Sequence, residues 1–224
     1  MHIVTIVLTA LVCLGGASAF AASDPANDEQ KTLYALGLAI SQSLTPFSLS
    51  EGELEFVKAG MADGVLNRKA KVDFQAFGPK VQQLQKARAS VLADKEKKLG
   101  EAFAAKAAGE KGATKTASGI VITVIKEGKG DRPKESDTVK VHYHGTLLDG
   151  TVFDSSVQRG EPATFPLQRL IPCWTEGIQQ IKAGGKSRLV CPSNLAYGDR
   201  GQPPAIKPGA TLVFEVELLE IVKK

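Results

Sequence analysis

At 224 residues, 43% apolar and 23% charged, the chain has the balance of a globular protein, long enough for one large domain or two small ones, and its totals exclude disorder. The formal net charge of +4 is dispersed through mixed-sign stretches such as KEGKGDRPKE, so neither a nucleic-acid groove nor a basic membrane patch is indicated.

The first 22 residues, MHIVTIVLTALVCLGGASAFAA, contain no Asp, Glu, Lys or Arg. An apolar run from Ile3 to Leu14, followed by GGASAFAA, reads as a secretory signal peptide cleaved after Ala19 or Ala21. The run is shorter than the roughly 20 residues of a membrane span, so no span is expected after its removal. Val12 before Cys13 is bulkier than the small residue of a lipoprotein cleavage site, which argues against lipidation. The expected address is the periplasm, with the outer membrane or cell surface as the alternative. Removal of the signal leaves Cys173 and Cys191 in an oxidising compartment, where either a disulfide or two small buried thiols fits the sequence.

From 23 to about 112 the pattern is helical. Leu33, Leu36, Ile40 and Leu44 mark one face of a first helix that ends at Thr45-Pro46. Ser50 with Glu53 forms a capping box for a second, which carries Leu54, Val57, Met61 and Val65. Gly78-Pro79 reads as the start of a third, running to about Ala108 with Leu84, Val91, Leu92, Leu99 and Phe103 as a sparse stripe. Thirty helical residues extend about 45 Å, which predicts a projecting stalk. The first two helices are too short to build a large core alone, so residues 23 to about 110 are expected to form a homodimer; a self-contained three-helix bundle is the alternative.

Gly109 to Ser118 is polar, without periodicity, and reads as a hinge. From 113 to 224 the pattern is one of strands: Ile120 to Ile125, a pair between Thr138 and Ser156, Ala163 to Leu167, Lys186 to Cys191, and Thr211 to Val222. In the first strand of the pair, Val139, Val141 and Tyr143 alternate with Lys140, His142 and His144, and Asp149-Gly150 supplies the positive backbone angles of a tight turn. One short helix, near Pro172 to Ile181, interrupts the strands. The predicted fold is α+β, an antiparallel sheet wrapped around a short helix and preceded by an all-α domain with a long stalk helix.

Near the strand ends and loops stand Tyr143, Phe153, Leu170, Ile171, Trp174, Tyr197, Ile206 and Phe214, with Asp154 as the one charged neighbour. That set suits a concave apolar ligand site with a few orienting polar groups. Tyr197 carries most weight, because NLAYGDRGQPPAIKPGA holds glycine turns and three prolines, a poor place for a packing aromatic. His142 and His144 share a strand face, but no third metal ligand is evident and no metal is expected. Ser155 follows its carboxylate directly and no GxSxG turn exists, which discards a hydrolase triad.

VHYHGTLLDGTVFDSS, IPCWTEGIQQIKAGGKSRLVCP, LAYG with its proline-rich loop, and ATLVFEVELLEI resemble, in order and spacing, the FKBP family of macrolide-binding peptidyl-prolyl cis/trans isomerases. The resemblance covers about Ala117 to Val222. ALG near Tyr34, KAGMADG and the long helix resemble the dimerisation domain of secreted bacterial members, the FkpA and macrophage infectivity potentiator type. The resemblance implies catalysis by Asp154, Tyr197, Tyr143, Phe153, Trp174 and Phe214, with Trp174 as the pocket floor. It implies substrate-binding positions at Arg159, Ala163, Leu170, Ile171, Gln202, Ala205 and Ile206, with Arg159 holding Asp154. Four positions depart from the family pattern. Ala163 stands where a fuller aromatic wall has Phe, Gln202 replaces a loop His, Ala205 replaces a larger aliphatic residue, and Cys173 replaces the Gly before Trp. The last brings Cys173 to a position where pairing with Cys191 is conceivable. The implied substrates are proline-containing polypeptides, rapamycin-type macrolides are implied ligands, and no cofactor is needed. The rival expectation is a dimeric holdase chaperone or surface interaction protein, in which turnover is incidental.

Overall fold

In the computed structural model, which describes residues 24–222, the strand Thr138–Thr146 (β3) is buried at every second residue: Val139, Val141, Tyr143 and Gly145 face inward. The alternation expected of it is therefore present, and the strand organises the sheet around it. The other strands are β1 (Ala113–Lys115), β2 (Val121–Lys126), β4 (Val152–Ser155), β5 (Ala163–Pro166), β6 (Lys186–Cys191) and β7 (Leu212–Val222). They form one sheet in the order β1-β2-β6-β7-β3-β4, with β5 also paired to β3, and every pairing is antiparallel. The β3–β4 turn departs from expectation in one detail. Only Gly150 has a positive φ, +85°, while the Asp149 side chain accepts the Thr151 N–H at 2.9 Å. The Gly150 N–H donates to the Leu147 carbonyl, so the loop is a turn closed by one left-handed glycine.

Among the described residues five α-helices accompany the sheet. Asp28–Leu44 (α1), Glu51–Val65 (α2) and Phe74–Ala108 (α3) precede it; Ser156–Arg159 (α4) and Pro172–Ile178 (α5) lie within it in sequence. α3 begins before the Gly78-Pro79 signal, because the Asp73 side chain caps it by accepting the Gln75 N–H, and Pro79 sits inside. The Glu53 carboxylate accepts from the Ser50 N–H and hydroxyl, each at 2.8 Å, and pairs with Arg88 of α3. Arg88 also donates to the Phe47 carbonyl, at 2.9 Å. The Arg88 hydrogen bond, with the two from Ser50, lowers the Glu53 pKa to about 2.

The long helix expected before the sheet is present, its C-terminal half packs on the sheet, and the polar stretch read as a hinge holds a short strand. Residues 74–91 of α3 are largely exposed, but Ala93, Gly100, Ala104 and Ala107 are buried. Ala104 and Ala107 pack with Phe103 against Val121, Val190 and Val213. On the opposite side chains of the same strands, Ile122, Leu189, Cys191, Leu212 and Phe214 join Trp174 and Ile178 of α5 in the main core. The sheet is thus covered on both faces where β2 and β6 run side by side, which explains why adjacent residues are buried there, Val121 with Ile122 and Leu189 through Cys191, while Val124 and Ile125 beyond the helix are exposed. Within the expected hinge, Ala113–Lys115 pairs with β2 as an edge strand. No helix among the described residues is long and apolar enough to cross a membrane. The expected signal peptide lies outside the described residues.

Cys173 and Cys191 are joined by a disulfide, with Cα atoms 5.7 Å apart and both residues fully buried. The bridge ties the first turn of α5 to the end of β6. Closing an 18-residue separation restricts the unfolded chain. Replacing both cysteines by alanine is expected to cost about 3 kcal/mol, read as a lower urea midpoint with a slope that rises because the unbridged unfolded chain exposes more surface.

Candidate active site

The first turn of α5 presents Trp174 to the inner face of the sheet, where the residue is 5% exposed. Three rings meet its indole edge to face: Tyr143 of β3 at 5.1 Å between centroids, Phe165 of β5 at 6.0 Å and Phe214 of β7 at 5.2 Å. Phe153 of β4 stands edge-on to Phe214 at 5.4 Å. Rings in this geometry place a positive edge on a negative face, which fixes their mutual tilt as well as burying area. With Asp154, Leu170, Ile171 and Tyr197 they line a concave cleft of about 210 Å³. An adjoining cleft of about 280 Å³ shares Phe153, Asp154 and Tyr197 and continues over Gln202, Ala205 and Ile206.

The single carboxylate of the cleft is held on both oxygens. The Tyr143 hydroxyl donates to one at 2.5 Å, Arg159 donates to the other, and Arg159 also reaches the Tyr143 hydroxyl at 2.8 Å. Burial opposes ionisation of Asp154, but the hydrogen bonds from Tyr143 and Arg159 outweigh it and hold the pKa below the usual carboxylate value. Tyr197 is shifted upward by burial and by the Asp154 charge. Tyr143 is also shifted upward, by burial and by its bond to Asp154, with Arg159 opposing. The Trp174 Nε1 is buried without a hydrogen-bond partner among the described residues. His142 and His144 each place Nδ1 near a serine hydroxyl, Ser156 at 3.1 Å and Ser155 at 3.0 Å.

Residues 129–219 match the family model described as FKBP-type peptidyl-prolyl cis-trans isomerase, and residues 29–124 match that of the domain amino terminal to it. The chain is 42% identical over 208 residues to the FKBP-type peptidyl-prolyl cis-trans isomerase FkpA of Escherichia coli strain K12, covering 87% of this chain and 76% of that one. The chain belongs to this FKBP isomerase family. It is also 32% identical over 228 residues to the outer membrane protein MIP of Legionella longbeachae, covering 97% of each. The crystal structure of FkpA from Escherichia coli superposes with a TM-score of 0.67 at 39% identity, covering 87% of this chain and 97% of that one.

Most residues singled out in the FKBP sequence meet in the two clefts, and the exceptions are informative. Ala163 lines neither; it pairs with Val141 across β5 and β3 and packs against the core. The ring on that wall is Phe165, which sequence reasoning missed although it lies two residues on, on the same strand face as Ala163. Gly145 was also missed. A Cβ there would lie 2.7 Å from Phe153 Cζ and 3.0 Å from Phe214 Cε1, so the two rings can meet only over a glycine. Arg159 is not a wall residue and instead bonds Asp154 and the Tyr143 hydroxyl from outside the clefts.

The titration of the isomerase follows from the directions of these shifts. Asp154, depressed below 3.8, remains ionised until the pH falls beneath that value, and both phenols, raised above 10.0, remain neutral well into the alkaline range. Within the interval between them none of the three changes charge. Isomerisation of a proline-containing tetrapeptide is therefore expected to be flat in kcat/KM from about pH 5 to about pH 9, measured by a protease-free assay.

Proposed function

We propose that this isomerase accelerates the folding of proline-containing proteins in the bacterial cell envelope, using the Trp174 cleft and its one anchored carboxylate as the catalytic site. The prolyl amide faces a rotational barrier of about 18 to 20 kcal/mol, because resonance places negative charge on its oxygen in the planar form. No covalent bond is broken, so neither a nucleophile nor a metal is required. What is required is a site that favours the twisted amide, whose oxygen carries less charge, over the planar one.

The arrangement supports that reading in two ways. Trp174, Tyr143, Phe153, Phe165 and Phe214 form a rigid apolar receptacle for a proline ring, and they withhold the water that stabilises the planar dipole. Asp154, charged and fixed by Tyr143 and Arg159, raises the energy of an adjacent amide oxygen more in the planar form than in the twisted one. In the same reading Tyr197 orients the twisted amide, the Ile171 N–H anchors a substrate carbonyl, and Leu170, Gln202, Ala205 and Ile206 contact flanking residues. A reduction of about 6 kcal/mol in the barrier corresponds to roughly 10⁴-fold acceleration.

The observation that carries the proposal is the coincidence of the aromatic floor with a doubly held carboxylate. Its test is a tetrapeptide isomerisation assay: Asp154→Ala and Tyr197→Phe are expected to lower kcat/KM by roughly tenfold each, about the loss of one hydrogen bond or charge contact. A rapamycin-type macrolide is expected to compete with the peptide. Wild-type rates in both variants would remove the assignment.

A homodimer formed through residues 23 to about 110 is part of the same proposal. Neither α1 nor α2 buries a single residue, while Leu33, Tyr34, Leu54, Met61 and Val65 are exposed, and Phe56 is 83% exposed. Isolated apolar residues on a surface are ordinary, but two amphipathic helices with no buried face are not. The same faces favour a second reading, a holdase that grips unfolded clients through them. Sedimentation of the full chain is expected to give twice the monomer mass. Deleting residues 24–72, which leaves the α3 contacts with the sheet intact, is expected to yield a monomer that still isomerises tetrapeptides but no longer suppresses aggregation.

A further inference from the structure

Tyr197 and Ile206 lie on a segment that no strand of the sheet holds. It passes through a 3-10 turn at Gly198–Arg200 and a single bridge between Gln202 and Ile206. Its two ends are closed by the Gly209 N–H donating to the Gly198 carbonyl at 2.9 Å, one residue from Tyr197. At this closure the segment lies directly on α3. Gly209 has φ +75°, and a Cβ there would lie 2.3 Å from the Ala93 carbonyl oxygen and 2.6 Å from the Ala93 Cα. One helical turn on, Lys97 Nζ pairs with Asp199 at 2.6 Å. At the following turn a Cβ on Gly100 would lie 2.0 Å from Thr211 Oγ1, at the entrance to β7.

Ala93, Lys97 and Gly100 are spaced four and three apart, so they form one stripe of the helix. The stripe meets the segment at its closure, beside Tyr197 and at its exit. We propose that this stripe of α3 is a positioning element for Tyr197: by holding Asp199 and Gly209 it fixes the phenol over the cleft without touching substrate. The inference rests on the reading of Tyr197 as a site residue. It assigns to Lys97 a role in turnover that docking of the helix does not require, because docking is already supplied by Ala104, Ala107, Val121 and Val190. Lys97 and Asp199 are 36% and 65% exposed in their side chains, so their pairing contributes little to global stability and either can be reversed without disturbing the core.

The test is a charge swap in the full chain, with tetrapeptide isomerisation and thermal melting as readouts. Lys97→Glu and Asp199→Lys are each expected to lower kcat by roughly threefold to tenfold at unchanged KM, as for an interaction realised only in the transition state. The double reversal is expected to recover to within about twofold of wild type, since it restores the pair. In a Tyr197→Phe background Lys97→Glu is expected to have no further effect, and all variants should melt with the wild type. Single reversals at the wild-type rate overturn the positioning role, as does a loss that the double reversal fails to restore or that persists undiminished without the Tyr197 hydroxyl. Should Tyr197→Phe alone turn over at the wild-type rate, the site assignment falls, and that outcome is distinguishable from the others.

Discussion

The edge-to-face packing of Tyr143, Phe165 and Phe214 on the Trp174 indole is the contact on which the isomerase domain depends. Each such pair contributes about 0.5–1.5 kcal/mol beyond the area it buries, and each also fixes an angle. The rings come from three different strands and one helix, so holding their angles holds the elements. Two features keep the cluster open on one side rather than collapsed. The disulfide fixes the start of α5 beside Trp174, and Gly145 gives Phe153 and Phe214 the room to meet at the rim. A concave, rigid, apolar surface is what remains.

Electrostatics then separate this cleft from an ordinary core. A carboxylate beside so many rings would normally be driven toward its neutral form, yet Asp154 is held ionised by a phenol and a guanidinium that occupy both its oxygens. Its charge is fixed in place rather than available for proton transfer. Such an arrangement suits a reaction in which charge is redistributed within an amide and no proton moves. The Trp174 Nε1, buried without a partner among the described residues, adds an unsatisfied donor at a cost of about 1–3 kcal/mol. A core selected only for stability would avoid it, and active sites commonly carry such costs.

Coverage of the sheet on its second face changes the meaning of the long helix. Its last four turns are part of the isomerase domain's packing, and its preceding turns are largely exposed. The end of the helix is therefore part of the packing of the strands it covers. Through Gly209 and Asp199 it also meets the Tyr197–Ile206 segment of the cleft wall, which belongs to no strand of the sheet. The exposed apolar residues of α1 and α2 belong to a different problem, that of what covers them, and a second copy of the chain is the occupant proposed here.

Much of this was legible in the chain as written. Alternation at Val139, Val141 and Tyr143 gave β3, the Ser50–Glu53 spacing gave the second helix start, and aromatic residues crowding strand ends and a proline-rich loop marked the cleft. Less was legible where a local signal competed with a stronger one nearby: Gly78-Pro79 masked the Asp73 cap. Gly145 and the strand at Ala113–Lys115 left no clear local trace, because what defines each is a neighbour distant in sequence, whereas Phe165 was marked only by its strand face, shared with Ala163. Residue order thus sufficed for whatever depends on periodicity and side-chain chemistry within a few positions: element types, the two-part plan and the identity of most cleft residues. Which ring forms the wall, which glycine makes way for it, and which face of α3 meets Val213 and Gly209 were decided by close packing across elements, since clearance between atoms exists only once the chain has folded.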